Sequence, residues 1–280
     1  MEWIVREESS LIDCLRKMYP DSSVTQVKSF YQNKRVLVNG RFPSSLTALL
    51  KEKDLIIIRD KPIFLEKGID LLYKDKDIAV IDKPKGLLSV ATDFETLTTA
   101  HGILKRFFKP KRVFPVHRLD QDTSGLLIFA LSEPARDNLK KSFEAHRIKR
   151  RYVAIIEGHL PESEGTWKSY LFEDPNYIVR TTDDPKGGQL AITHYAVKKT
   201  SKNLSWLEVH LETGKKNQIR VHCQKAGHSV LGDTKYGAQK KASRLFLHAE
   251  SLEFIHPITN KLMRFDSPVP DIFYQVIEGR

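Results

Sequence analysis

The longest apolar run of the chain, Leu126-Leu127-Ile128-Phe129-Ala130-Leu131, is entered straight from a loop crowded with polar and charged groups, Val116-His117-Arg118-Leu119-Asp120-Gln121-Asp122-Thr123-Ser124-Gly125. Six residues are far too few to cross a bilayer, which takes about 20, so the run reads as a buried strand. A loop held by a rigid strand is where reactive side chains are usually presented. Strand-like segments dominate the chain beyond Asp70: Ile78 to Ile81, Tyr152 to Glu157, Ile192 to Val197, Trp206 to Leu211 and Leu245 to Leu247. One helix breaks the series, from Glu133 to His146, with Pro134 tolerated in its first turn and Leu139 and Phe143 facing inward. The pattern predicts an α+β fold over residues 70–280, a large mixed, mostly antiparallel sheet with flanking helices.

Residues 1–61 read as a separate small α/β unit. Ser9 or Ser10 can cap a helix in which Leu11, Cys14, Leu15 and Met18 recur at helical spacing, and Pro20 stops it. A second short helix follows, with Val24, Val27 and Phe30 or Tyr31 as its apolar stripe and Gln26, Lys28, Gln32, Asn33 and Lys34 on its polar face. Val36-Leu37-Val38-Asn39-Gly40-Arg41-Phe42 carries an Asn-Gly pair between extended residues, a strong hairpin signal. Leu55 to Ile58 reads as a closing buried strand. This order of elements resembles the alpha-L RNA-binding domain of a small-subunit ribosomal protein and of several RNA-modifying enzymes. The resemblance implies that the helices and the basic turn hold RNA backbone, with Lys34 and Arg35 among the contacts. Pro62 and Glu66-Lys67-Gly68 interrupt periodicity, so residues 62–69 read as a linker.

The formal charge is +11, and it is uneven. Residues 101–151 hold 13 basic against 5 acidic side chains, residues 211–244 hold 8 against 2, and the first 61 residues carry a weaker excess of three. Two separated basic segments point to one polyanion-binding surface, because neutralising phosphates releases counterions. The two cysteines, Cys14 and Cys223, have no metal-ligand spacing and make no disulfide framework, which fits a reducing cytoplasm. Glu2, Arg6, Glu7 and Glu8 stand where a signal peptide needs apolar residues, so neither secretion nor membrane insertion is expected.

Two further motifs flank the charged loop. Tyr73 to Leu87 is a charged turn, a buried strand and a Lys-Pro-x-Gly corner, and Leu211-Glu212-Thr213-Gly214-Lys215-Lys216-Asn217-Gln218-Ile219-Arg220-Val221-His222 turns from a strand through glycine into a basic, amide-rich segment that continues to Leu231-Gly232-Asp233-Thr234-Lys235-Tyr236-Gly237. The run H-R-L-D-x-D-T-S-G-L-L, preceded by D-x-x-I-x-V-I-x-K-P-x-G and followed by R-R-Y-V-A-I-x-E-G and T-G-x-x-x-Q-I-R-V-H, resembles the RluA family of RNA pseudouridine synthases. The resemblance runs from about Asp70 to the carboxyl terminus.

It implies the pseudouridine synthase fold and an isomerase that detaches uracil from ribose at nitrogen 1, rotates it and rejoins it through carbon 5. It implies Asp120 as the catalytic carboxylate, attacking the ribose, attacking the uracil or promoting a glycal route. Arg220 would keep that carboxylate charged and oriented, and Tyr152 would stack on the target base and assist proton removal. Arg118 would occupy the space left by the extruded base or grip phosphate, and Lys215, Lys216, Asn217 and Gln218 would contact RNA. His117 and His222 read as hydrogen-bonded scaffold, since no ligand partner lies at metal spacing. Neither a cofactor nor a metal is called for. RNA is the expected partner of a monomer, ribosomal large-subunit RNA ahead of transfer RNA. Members of the family commonly read G-R-x-H-Q-I-R where this chain has Gly214-Lys215-Lys216-Asn217-Gln218-Ile219-Arg220, so Lys215 and Asn217 depart from the pattern, as does Arg150 from its K-x-Y.

Overall fold

The computed structural model describes residues 2–279 apart from residues 34, 41, 44, 62 and 92–97. Lys34 therefore lies outside the described residues.

The amino-terminal unit contains β1 (Glu2–Ile4), β2 (Ser9–Ser10), α1 (Leu11–Met18), α2 (Val24–Gln32), β3 (Val36–Val38), β4 (Leu49–Leu50) and β5 (Leu55–Ile58). Ser10 caps α1 by accepting from the amide of Asp13, and Ser23 caps α2 by accepting from that of Gln26. Leu11, Cys14, Leu15, Val27, Phe30, Val36, Leu50, Ile56 and Ile58 close a core of their own. Val24, expected on the apolar stripe, is exposed. The Asn39-Gly40 turn forms, with positive φ at both residues. The strand before it, however, pairs with distant β5 (Val36↔Ile58). The reason is the Asn39 side chain, which accepts from the amide of Leu55 and donates to Asp54, tying the turn to the start of β5.

The rest of the chain builds one large sheet. Its strands are β6 (Ile63–Phe64), β7 (Asp70–Lys74), β8 (Ile78–Lys83), β9 (Phe114–Pro115), β10 (Ser124–Ala130), β11 (Lys149–Glu157), β12 (Glu164–Glu173), β13 (Val179–Thr182), β14 (Gln189–Ser201), β15 (Leu204–Leu211), β16 (Leu247–Ile255) and β17 (Leu262–Asp266). They run in the order β13-β12-β14-β15-β11-β16-β10-β8-β7-β6, with β17 on β16 and β9 on β10. The helices are α3 (Ala100–Phe108), α4 (Glu133–Glu144), α5 (Gln218–Lys225) and α6 (Asp271–Glu278). Within the stretch read as a linker, Ile63–Phe64 form the edge strand β6, which pairs with β7, and Glu66–Gly68 form a 3-10 turn.

Among the described residues, every strand pairing in the sheet is antiparallel except that of β10 with β16. There Ser124 and Gly125 lie beside His248 and Ala249. Gly125 has φ +112°, and a Cβ on it would stand 2.2 Å from the carbonyl oxygen of Ala249, so only glycine lets the two strands meet. The charged loop thus ends at the seam between two antiparallel halves of the sheet. Ala79, Ile81, Leu127, Phe129, Ala154, Ile156, Leu207 and Leu247 fill the core on one face of it.

Candidate active site

The loop from His117 to Ser124 is braced along its length. Ile128 donates its amide to Nε2 of His117, and Ser89 Oγ bonds both the amide and the carbonyl of Leu119. Lys83, wholly buried, donates from Nζ to the carbonyls of Pro84, Leu87 and Gln121 at 2.9, 2.7 and 2.9 Å. Burial pushes its ammonium down to about 7, against the pull of Asp122 and Asp120. At the far end Ser124 Oγ accepts from Arg244 at 2.6 Å and meets Nδ1 of His248 at 2.9 Å. With its backbone fixed at both ends, the loop presents Asp120 to a cavity of about 550 Å³, a size suited to a small ligand.

Asp120, Arg118, Tyr152, Lys215, Asn217 and Arg220 all line this cavity. Tyr152 comes from β11, where the register against β16 shifts between Arg151 and Tyr152. Such a bulge re-aims a side chain. Tyr152 is buried, and burial pushes its phenol up, so it rests protonated. Asn217 stands at the amino-terminal cap of α5 and Arg220 in its first turn, at the helix end that favours a neighbouring carboxylate.

Oδ2 of Asp120 accepts two hydrogen bonds, from Asn217 Nδ2 at 2.7 Å and from Arg220 Nη1 at 3.2 Å. Arg220 is itself held from behind, its Nε and Nη2 donating to Asp233 at 2.6 and 2.7 Å while its guanidinium lies over the Tyr236 ring. Burial works against the Arg220 charge, but Asp233 and then Asp120 outweigh it and hold the guanidinium above its ordinary range. Tyr236 donates its hydroxyl to Oδ1 of Asn217 at 3.0 Å.

The residues singled out from sequence divide into groups. Asp120, Tyr152 and Arg220 are brought together, with Arg118 exposed and Lys215 half-buried at the same cavity. Gln218, expected to contact RNA, also lines the cavity and is a structural stitch there. It is buried, and its amide accepts from Thr213 Oγ1 and the Lys215 amide and donates to the Ile192 carbonyl and Thr193 Oγ1. Asn217 is likewise taken up by Asp120 and Tyr236. Lys216 is ion-paired with Glu173 and faces a neighbouring hollow. Arg35 donates to the Arg59 carbonyl and lies over the Phe30 ring inside the amino-terminal unit. Asp233 and Tyr236, which complete the constellation, stand in the run 231–237 that the sequence singles out, but only one signal there bears on a role: Asp233 is one of only two acidic residues in the basic stretch 211–244.

His117, half-buried at the cavity, accepts from the amide of Ile128, and His222 is a buried relay group. The His222 ring joins Ser169 and Thr193, and burial lowers it to about 4, while His117 falls to about 3. Among the described residues no cluster of three or more His, Cys, Asp or Glu is arranged to hold a metal ion, and no helix is long and apolar enough to cross a membrane.

The basic segments are only partly gathered at the cavity, where Arg118, His146, Arg150, Lys215 and Arg220 stand. Arg106, Arg112 and Arg136 are instead ion-paired with Glu66, Glu133 and Asp137.

Comparison with known proteins is consistent with this arrangement. The model of the family described as RNA pseudouridylate synthase matches residues 77–225. A Bacillus subtilis protein named uncharacterized RNA pseudouridine synthase YjbO is 34% identical over 243 residues, covering 82% of this chain and 86% of that one. Ribosomal large subunit pseudouridine synthase D of Zymomonas mobilis is 37% identical over 72% of this chain and 69% of its own length. The protein of the same name from Salmonella typhimurium is 30% identical over 96% and 90%. Among solved structures, human RNA pseudouridylate synthase domain containing 4 superposes with a TM-score of 0.62 at 23% identity, over 74% of this chain and 91% of that one, which speaks to the fold.

Proposed function

The chain belongs to the RNA pseudouridylate synthase family, whose members are isomerases that make pseudouridine in RNA, and we propose that Asp120 is its catalytic carboxylate and large-subunit ribosomal RNA its substrate. The assignment of Asp120 is supported by one observation above all. It is a carboxylate at a nucleotide-sized cavity with one oxygen held by Arg220 and Asn217 and the other without a protein partner among the described residues. Attack on the ribose anomeric carbon, attack on uracil and a glycal route all require such an ionised carboxylate with a free oxygen.

The other residues take their roles from where they stand. The target uridine must leave the RNA stack at a cost of a few kcal/mol, and Tyr152 offers it a stacking face worth about 1–3 kcal/mol. Arg118, exposed at the same cavity, grips backbone phosphate or fills the space the base leaves. Residues 1–61, with their own core, serve as the RNA-binding module. The ribosomal substrate is favoured by the names of the Zymomonas and Salmonella relatives.

Two measurements test the reading. Asp120→Asn, nearly isosteric, is expected to abolish conversion while leaving the melting temperature and RNA binding intact, and undiminished product would overturn the role of Asp120. Mapping pseudouridine across cellular RNA with and without the gene is expected to show a lost site in large-subunit ribosomal RNA. A loss confined to transfer RNA would overturn the substrate.

A further inference from the structure

We propose that Asn217 and Tyr236 are positioning residues that clamp Oδ2 of Asp120, so that Oδ1 is the oxygen presented to the substrate. This rests on the reading of Asp120 as the catalytic carboxylate.

Asn217 stands at the amino-terminal cap of α5, where an asparagine side chain ordinarily accepts from a backbone amide of the first turn. Here it makes no such bond. Its amide is diverted instead, Nδ2 to Asp120 at 2.7 Å and Oδ1 toward the Tyr236 hydroxyl at 3.0 Å.

The direction of that amide is fixed by what surrounds it. The backbone N–H of Val179 donates to the Tyr236 oxygen, which leaves the hydroxyl's own proton for Asn217 Oδ1. The amide nitrogen must then face Asp120. The backbone at Asn217, φ 54° and ψ 18°, is left-handed, a conformation asparagine tolerates better than most residues with a side chain. At 8% exposure the side chain has no freedom to swing toward solvent. Arg220 Nη1 reaches the same Oδ2, so both donors converge on one oxygen.

The identity of the residue matters. A histidine, as the family pattern commonly has here, would bring a donor that titrates near neutral pH. An amide neither carries charge nor titrates, so its hold on Asp120 is the same at every pH at which the carboxylate is ionised.

The test follows pseudouridine formation in total RNA from cells lacking the gene, with N217D, N217G and D120N compared to the unaltered protein. N217G keeps the left-handed backbone but removes the donor, and is expected to lower kcat about tenfold or more with KM changed less than about twofold. N217D sets a second carboxylate against Asp120. It is expected to be at least as impaired at pH 8 and to recover relative to the unaltered protein toward pH 5, where its protonated acid can donate to Oδ2. A merely structural role would not produce that pH-dependent recovery.

A raised KM with unchanged kcat in N217G would make Asn217 an RNA contact and overturn the proposal, as would an N217D profile parallel to the unaltered one. In either case an inactive D120N leaves the role of Asp120 standing. An active D120N overturns that reading itself.

Discussion

Asp233 holds Arg220 more closely than Asp120 does, by two hydrogen bonds of 2.6 and 2.7 Å against one of 3.2 Å. The Asp233 side chain is fully buried, and it spends its charge on the arginine and its Oδ1 also on the amide of Tyr236. The guanidinium is therefore aimed from behind, and Asp120 meets a partner already fixed in place.

Asp233→Asn keeps the shape and the acceptor for the Tyr236 amide but removes the buried charge. Breaking a buried pair from one side costs about 3 kcal/mol or more. The expected outcome is a lower melting temperature together with at least a tenfold loss of kcat. A thermal unfolding curve and a turnover assay on the same preparation check it, and an unchanged melting temperature would show that Arg220 is anchored elsewhere.

Gly125→Ala adds a methyl 2.2 Å from the Ala249 carbonyl oxygen at φ +112°. The penalty is expected to exceed about 3 kcal/mol, because the strands cannot separate without breaking the parallel seam. Gly86, at φ +80° with nothing within 4 Å of where a methyl would stand, isolates backbone strain alone, and Gly86→Ala is expected to cost only about 1 kcal/mol. Denaturant unfolding of the two variants side by side measures the difference.

Acid should destabilise the protein through three desolvated histidines, His117 half-buried and His222 and His248 buried. His117, His222 and His248 are lowered by burial from 6.5 to about 3, 4 and 3. The unfolded chain therefore binds protons that the folded one refuses between those values and 6.5. Their contribution to stability is complete above pH 6.5 and is lost progressively as pH falls through that window. Melting temperatures across pH 4–7, with imidazole signals followed by NMR, check this. Three rings titrating near 6.5 in the folded protein would contradict it.

Much of the site is legible in the sequence because it is local. The charged loop before an apolar run, the cap Ser10 and the Q-I-R segment all announce themselves within a dozen residues. What escapes is set by distant partners. Gln218 to Cys223 alternates polar and apolar side chains, so no helical stripe marks α5, because Gln218 and His222 are buried through hydrogen bonds and not through apolarity. The pairing of β3 with β5 depends on Asn39 reaching Leu55. The role of Asp233 is a matter of where its motif lands against α5, and the strand β6 is too short, at two residues, for any period to show.

Lys83 works as a tethered counterpart of a structural cation. Three carbonyl oxygens from two separate motifs surround its single ammonium, much as they would surround a bound ion, yet this ion is encoded in the chain and cannot diffuse away or be exchanged. The geometry of the Asp120 loop is thereby insulated from the metal ions of its surroundings, but, with the ammonium lowered to about 7, not from their pH.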